Sequence, residues 1–386
     1  MLSMQTPVVI IGGGASGLML ASLLPKNSAV VIEGNPRAGE KIRISGGGKC
    51  NITNAVMDAQ HYLGSETFVS QVLQRFDQKT LLSWLKQRGL EPVLRKESQY
   101  FCPQSATQLL DVLLKEARKQ KLLFGEKVLE VRKRDAHFYV KTNRRTVTAK
   151  SVVVASGGLS FPKLGASGIG YEIAEAFGHT LTKRAPALVG FTVQKEQFFF
   201  KDLSGISTDV VITVGQKRCA GSLLFAHKGI SGPAVLDASL YWERGKIEID
   251  FMPGFTWEHV RSSKKQLTSL LPLPKRVAKA FLVQFAIEDK AGSALLASEL
   301  QQLQTLNRYA FAPAGTFGYS KAEVTRGGVS TDEIDARTME SLERVGLYFV
   351  GEVLDVTGEL GGYNFQWAFS SAYVCAQKLK KQGREV

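Results

Sequence analysis

The chain has 386 residues, 44% of them hydrophobic and 22% charged, a globular composition on a length that suggests two or three domains rather than one. No unbroken apolar run approaches the roughly eighteen residues of a membrane span, and residues 1–6 carry no basic head before an apolar stretch, so neither a membrane segment nor a signal peptide is expected. Lys plus Arg number 49 against 35 Asp plus Glu, a net charge of +14 that favours polyanionic partners but also suits a merely soluble surface, because the basic residues are scattered.

The four cysteines, Cys50, Cys102, Cys219 and Cys375, lie far apart with no CxxC spacing, and the five histidines show no HExxH spacing. Neither a disulfide framework nor a bound metal is expected, and a reducing cytoplasm fits.

In chain order, residues 8–11 read as a buried strand, GGGASG as a turn, 18–24 as a helix and 30–33 as a second strand, a βαβ unit. A polar, glycine-rich stretch follows over 34–54. Helical periodicity then covers 68–88 and 107–119, strands of a hairpin cover 128–132 and 138–142, and 151–155 is a β-branched run ending in Ser156-Gly157-Gly158. From about Pro186 the pattern turns to short alternating strands (191–193, 210–214, 247–251), then to helical periodicity between Trp257 and Leu306. Strand character returns at 322–325 and 347–350, and a last helix covers about 365–380. The expected division is a first domain over 1–187 and 345–386, an inserted β-rich domain over 188–254 and 318–344, and a helical subdomain over 255–317.

Gly12, Gly14 and Gly17 have GxGxxG spacing directly after a strand and before a helix. The first glycine allows the tight turn, the second lets a pyrophosphate approach the main chain, and the third lets helix and strand pack closely, with the helix N-terminus facing the phosphates. Glu33 ends the second strand sixteen residues after Gly17, where a carboxylate can accept both ribose hydroxyls. FAD is longer than one such turn can hold. Two more strand ends are available for it, Ala155-Ser156-Gly157 and Gly351-Glu352, and Gly361-Gly362-Tyr363-Asn364 opens the last helix, whose positive end can lie beside the pyrimidine edge of a flavin. The Gly165-x-x-Gly168-x-Gly170 run follows no strand and is assigned to packing rather than to a second dinucleotide.

KIRISGGGKCNITN (41–54), ASGGLSFPKLGASGIGY (155–171), LLFAHKGISGPA (223–234) and GLYFVGEVLDVTGELGGYNFQWAFSSA (346–372) resemble the signatures of the BaiN/RdsA-type family of NAD(P)/FAD-dependent flavoproteins, in order and over nearly the whole chain. The resemblance implies a glutathione-reductase-like Rossmann FAD domain interrupted by a β-barrel-like domain and a small helical one. It implies non-covalent FAD held by Gly12, Gly14, Ala15, Ser16, Gly17, Glu33 and Gly34 on the ADP side, with the main chain of Val128 at the adenine. Lys41 and the Ser45-Gly46-Gly47-Gly48 loop up to Cys50 would border the flavin, and Ala155, Ser156, Gly157, Gly351, Glu352, Gly362, Tyr363, Asn364 and Phe365 would complete the groove.

The activities implied are reduction of conjugated enones, oxidation of small amines, and reduction of uridine to dihydrouridine in 23S ribosomal RNA, with NAD(P)H as a transient reductant; the motifs sit nearest the ribosomal-RNA branch. Reducing a uracil double bond requires a hydride on one carbon and a proton on the other, and Cys50 is either the proton donor or a small buried packing residue. His227 is an acid, base or substrate contact, or else a structural histidine, and Tyr363 and Trp367 either stack on a substrate ring or belong to the core. Lys264, Lys265, Lys275 and Arg276 lie outside the FAD motifs and are the expected RNA contacts. The competing readings are a small-molecule enone reductase or amine oxidase, and a non-catalytic RNA-binding or assembly factor with structural FAD.

Overall fold

A computed structural model describes residues 2–96 and 98–382; residues 1, 97 and 383–386, which include the outer ends of the first domain's two segments, lie outside the described residues. The chain forms two compact units, one made of residues up to Ala185 together with those from Val324 onward, the other of Pro186–Glu323.

The first unit is built on a sheet whose centre is β1 (Leu2–Ile11). Val9 and Ile10 have no exposed surface, which is why the C-terminal part of this strand, 8–11, reads as a continuous apolar run: both faces of a parallel sheet are covered there. Helix α1 (Ala15–Leu23) carries the chain over to β2 (Ala29–Glu33), which pairs parallel with β1, and the strand Lys121–Phe124 pairs parallel with β2. On the other side of β1 lies the strand Arg145–Val154, paired parallel with it and, at its C-terminal end, with Leu347–Phe349. The hairpin Val128–Arg134 and His137–Thr142 extends the sheet antiparallel from Arg145–Val154. That strand starts six residues earlier than its apolar core suggests, because 146–149 pair with the hairpin and 145–149 with the start of β1. The single helix expected over 68–88 is two, Glu66–Leu73 and Gln78–Lys86, because Asp77 restarts the helix by accepting the Thr80 amide at 2.8 Å.

Residues 324–344, expected with the inserted domain, cluster with the first unit. Main-chain bonds hold them there: Asp355 N–H donates to Val329 O (2.9 Å) and Phe349 N–H to Met339 O (3.2 Å). A buried polar chain does the same. Ser341 Oγ lies 2.8 Å from His179 Nε2, and His179 Nδ1 lies 3.0 Å from the Glu333 carboxylate. The order Ser-His-Glu is that of a hydrolase relay, but Ser341 Oγ already accepts the amides of Glu343 (3.1 Å) and Arg344 (2.8 Å), so both lone pairs are used and the group is a structural tie.

In the second unit seven strands pair antiparallel into one sheet, in the order Tyr309–Phe311, Ile247–Asp250, Ser207–Val214, Lys217–Ala226, Gly229–Ser231, Phe191–Thr192, Gly315–Thr316. The helices Leu267–Leu270, Lys275–Gln284 and Ala297–Gln304 make up the helical segment. It shares the sheet's core instead of forming its own: Phe281 meets Phe251 edge-on with ring centroids 5.0 Å apart.

Ser341→Ala should leave two amides and one imidazole nitrogen without a buried partner, a loss of about 1–3 kcal/mol. The check is a lower urea midpoint with unchanged secondary structure by circular dichroism; an unchanged midpoint would show that water replaces the hydroxyl.

Candidate functional site

The three strands β1, Arg145–Val154 and Leu347–Phe349 run parallel with Ile11 opposite Val154 and Val154 opposite Phe349. Their C-terminal turns, Gly12–Gly17, Ala155–Gly157 and Gly351–Glu352, therefore emerge side by side at one edge, the place where open parallel sheets bind ligands. Each glycine of the first turn has its own environment. At Gly12, with φ +111°, a Cβ would stand 2.4 Å from Ala155 O; at Gly17 it would stand 1.9 Å from Gly12 O; at Gly14 it would meet no atom within 4 Å. The first and third positions are thus closed by protein, whereas the second faces open space at the start of α1. Gly14 caps that helix with no side-chain bond, and no acidic residue lies in its first turn, so its N–H groups and positive end are available to an anion. Ala15 is half-buried here, and Ser16 is buried against Gly351, where a Cβ would lie 2.6 Å from Ser16 Oγ.

Glu33, at the end of β2, accepts the Gly13 amide and the Asn35 amide, each at 2.7 Å, which leaves it two further lone-pair positions for hydroxyls. Beside it, Gly34 is exposed, and the Glu126 amide donates to Glu33 O (3.0 Å), bringing the Lys127-Val128 segment alongside. The GxxGxG run is packing, as its lack of a preceding strand suggests: a Cβ would be 2.5 Å from the Asn35 amide group at Gly165 and 2.1 Å from Ser156 Oγ at Gly170.

At the other end, Lys41 Nζ donates to Glu352 Oε2 at 2.7 Å, and Glu352 Oε1 accepts the Thr325 amide at 2.9 Å. The Ser45–Gly48 turn holds Gly46, Gly47 and Gly48 at φ +55°, +63° and +83°, a succession that only glycine adopts without strain, and a Cβ at Gly47 or Gly48 would meet nothing within 4 Å. From this loop the strand Asn51–Asn54 runs against the turn before the last helix, Tyr363–Gln382: a Cβ at Gly362 would lie 2.7 Å from the Thr53 main chain, and Asn54 Nδ2 donates to Gly361 O at 3.1 Å. Asn364 clamps that turn through the N–H (2.9 Å) and C=O (2.8 Å) of Gly358, and Phe365 packs on Phe369. The Trp367 ring is core, 1% exposed, with Nε1–H donating to Gly351 O at 3.1 Å.

Cys50 ends the glycine loop at φ +44° with no exposed surface. Its strand neighbour Cys102 donates its amide to Cys50 O at 3.2 Å. The hydrogen bond to Cys102 and burial hold the Cys50 thiol well above its ordinary pKa, while the same bond lowers that of Cys102. The sequence missed a second group. His61 Nδ1 is 2.7 Å from Glu359 Oε2, and the His61 ring stacks on Tyr363 with centroids 4.6 Å apart. A lone histidine without metal spacing gives no signal; only the pairing of Tyr62–Leu63 with Thr357–Gly358 sets it opposite Glu359. His227, by contrast, is exposed in the tight turn between Lys217–Ala226 and Gly229–Ser231 of the second unit. Lys264, Lys265, Lys275 and Arg276 are exposed in that unit's helical segment, with Arg276 Nη2 donating to Asp202 O at 3.0 Å.

An open second glycine at a helix N-terminus, a carboxylate with lone-pair positions to spare at the end of β2 and two further strand-end turns fit FAD, and they define the first unit as a Rossmann-type FAD domain of an oxidoreductase. The chain belongs to the HI0933-like Rossmann family, whose model matches residues 6–378. It is 39% identical over 401 residues to the Haemophilus influenzae ribosomal RNA dihydrouridine synthase, covering 99% of this chain and 100% of that protein. It is 30% identical over 403 residues to the Clostridium scindens 3-dehydro-bile acid delta(4,6)-reductase, covering 95% and 97%. In fold it matches the Rhodococcus jostii 3-ketosteroid-delta4-(5alpha)-dehydrogenase with a TM-score of 0.53 at 12% identity, over 98% of this chain and 97% of that one. Among the described residues no helix is long and apolar enough to cross a membrane, and no cluster of His, Cys, Asp or Glu could hold a metal ion.

Gly14→Val should give folded protein that purifies without flavin absorbance, since its side chain enters open space. Gly17→Ala should instead lower the melting temperature, since its methyl must displace Gly12 O. Full flavin absorbance in Gly14→Val would move the pyrophosphate elsewhere. Iodoacetamide at mildly alkaline pH should leave Cys50 unmodified in native protein and label it after denaturation, read by peptide mass mapping; fast native labelling would show that the loop opens.

Proposed function

We propose that this protein reduces an electron-poor C=C bond, that its substrate is uridine in 23S ribosomal RNA, and that NAD(P)H is the reductant. The observation that carries the substrate is the 39% identity, over 99% of the chain, to a protein named ribosomal RNA dihydrouridine synthase. When bound, FAD supplies the hydride. The residues around it supply the rest: the N-terminus of α1 binds the phosphates, Glu33 holds the ribose, and Lys41, fixed by Glu352, presents a cation at the end of the groove lined by Gly157 and Gly362. The N-terminus of Tyr363–Gln382 adds a second positive end where negative charge develops.

RNA contact fits the net charge of +14. Lys275 and Arg276 open a helix at its N-terminus, where cations oppose the helix dipole; an anionic partner there offsets that penalty. A uracil must be unstacked before its C5–C6 bond can be reached, so the substrate is a single-stranded or flipped base. The 30% identity to a bile-acid reductase supports a second reading, reduction of a small conjugated enone at the same site.

Mass mapping of 23S ribosomal RNA from a deletion strain should show one dihydrouridine lost and restored by the wild-type gene. Reversing Lys264, Lys265, Lys275 and Arg276 to Glu should abolish restoration, retain FAD, and lower the log–log salt slope of RNA binding by roughly 3. Normal modification by the reversed variant would remove these residues from the RNA surface; an unchanged RNA in the deletion strain would leave the enone as substrate.

A further inference from the structure

The reduction proposed above needs a proton as well as a hydride, and Cys50 has no exposed surface from which to give one. His61 does. It sits directly opposite Glu359 where Tyr62–Leu63 pairs antiparallel with Thr357–Gly358, the Glu359 amide donating to His61 O at 2.9 Å, so the two side chains share one face. The His61 side chain is 34% exposed and that of Glu359 24% exposed. His61 Nδ1–H donates to the carboxylate at 2.7 Å, and Nε2 makes no hydrogen bond among the described residues. This is the division of labour of an acid–base imidazole: one nitrogen oriented by a carboxylate, the other free to exchange a proton.

Its location ties it to the cofactor groove. The ring stacks at 4.6 Å, 20° from parallel, on Tyr363, the first residue of the last helix. Tyr62, the next residue, donates its hydroxyl to Tyr363 O at 2.9 Å. Tyr363 follows Gly361 and Gly362, which abut Thr53 and Asn54, and these continue the glycine loop of Ser45–Gly48. The two segments that would border the flavin meet at this junction, and His61 is the imidazole lying against it.

We propose that His61, oriented by Glu359 and stacked on Tyr363, is the proton donor to the substrate carbon next to the carbonyl when the C=C bond is reduced. This rests on the reading of the site as a C=C reductase. The hydride adds to the β-carbon with its electron pair, the π bond breaks, and negative charge collects on the α-carbon and carbonyl oxygen. The α-carbon then takes the Nε2 proton: the N–H bond breaks, a C–H bond forms, and the imidazolium becomes a neutral ring whose remaining proton stays on Nδ1, donated to Glu359. Solvent restores the proton at Nε2.

The test uses FAD-loaded protein, reduced anaerobically with dithionite and mixed either with an unmodified 23S ribosomal RNA fragment or with a conjugated steroid enone, while flavin reoxidation is followed. His61→Ala should keep its flavin and its reduction by dithionite, reoxidise about 10²–10⁴-fold more slowly with the substrate that wild type accepts, and recover with added imidazole. Independently of turnover, ¹⁵N spectra should place the neutral His61 proton on Nδ1, and Glu359→Ala should shift it toward Nε2. Reoxidation of His61→Ala within about twofold of wild type, or loss that imidazole does not rescue, overturns the assignment; in the first case a slow Cys50→Ala would return the role to the thiol. If neither substrate reoxidises the wild-type flavin, the C=C reductase reading fails and the assignment falls with it.

Discussion

The contact between Gly17 and the carbonyl of Gly12 sets the rest of the first unit. With room for a hydrogen but not a methyl at that point, α1 packs directly on the end of β1, and its first N–H groups are brought to the edge of the sheet. Parallel pairing then does the remaining work of alignment. Because Ile11, Val154 and Phe349 are in register, the turns that follow them stand side by side although they come from positions far apart in the chain. A slip of one residue in any of these strands would exchange the side chains packed on its two buried faces, so close packing on both sides protects the register and the geometry of the groove.

The far end of the groove is held by polar ties as well as by close packing. Gln366, fully buried, accepts from Thr53 Oγ1 (2.7 Å) and donates to Phe76 O (2.9 Å), joining the strand after the glycine loop, the link between two helices and the last helix. Ser371 Oγ accepts the Gly351 amide at 3.0 Å, and the Lys41–Glu352 pair closes the space between the glycine loop and the third strand end. The Gln366 and Ser371 ties sit where burial raises the cost of leaving a polar group unpaired, and with the partly exposed Lys41–Glu352 pair they specify one arrangement. Within this frame the Ser45–Cys50 loop is strained: after three left-handed glycines and a right-handed Lys49 it places a non-glycine residue, Cys50, in the left-handed region. The strain is offset by complete burial of the thiol against Cys102, and that burial separates Cys50 from the half-buried imidazole of His61 as a source of protons.

The second unit is organised by a different principle. Its antiparallel sheet buries one aromatic-rich face, in which Phe200, Phe225, Phe251, Phe281 and Phe311 pack together, and the helical segment contributes Phe281 to that face. Lys275 and Arg276 are therefore on a helix, and Lys264 and Lys265 on the loop before another, anchored by a core that owes nothing to the cofactor groove. Charge on this surface and chemistry in the groove can vary separately, since the two rest on different buried residues.

Local rules were enough for the cofactor unit's beginning: GxGxxG between a strand and a helix, with Glu33 at the end of the next strand, is legible because all its interactions lie within one βαβ unit. The glycine-rich ends at 155–157 and 351–352 were legible as strand ends, since apolar β-branched runs and glycines mark them without knowledge of partners. The break in the helix over 68–88 was written at Asp77 but outweighed by continuous helical periodicity. What the sequence could not contain was pairing across distance. Residues 324–344 have strand-like spacing that suits either unit, and only their main-chain bonds to 349–355 and the Ser341–His179–Glu333 chain assign them. His61 and Glu359 are nearly three hundred positions apart; neither carries a motif, and antiparallel register alone makes them a dyad. Tertiary structure decided the acid–base chemistry because proton donors are defined by exposure and by what their second nitrogen touches, two properties that exist only once the chain has folded.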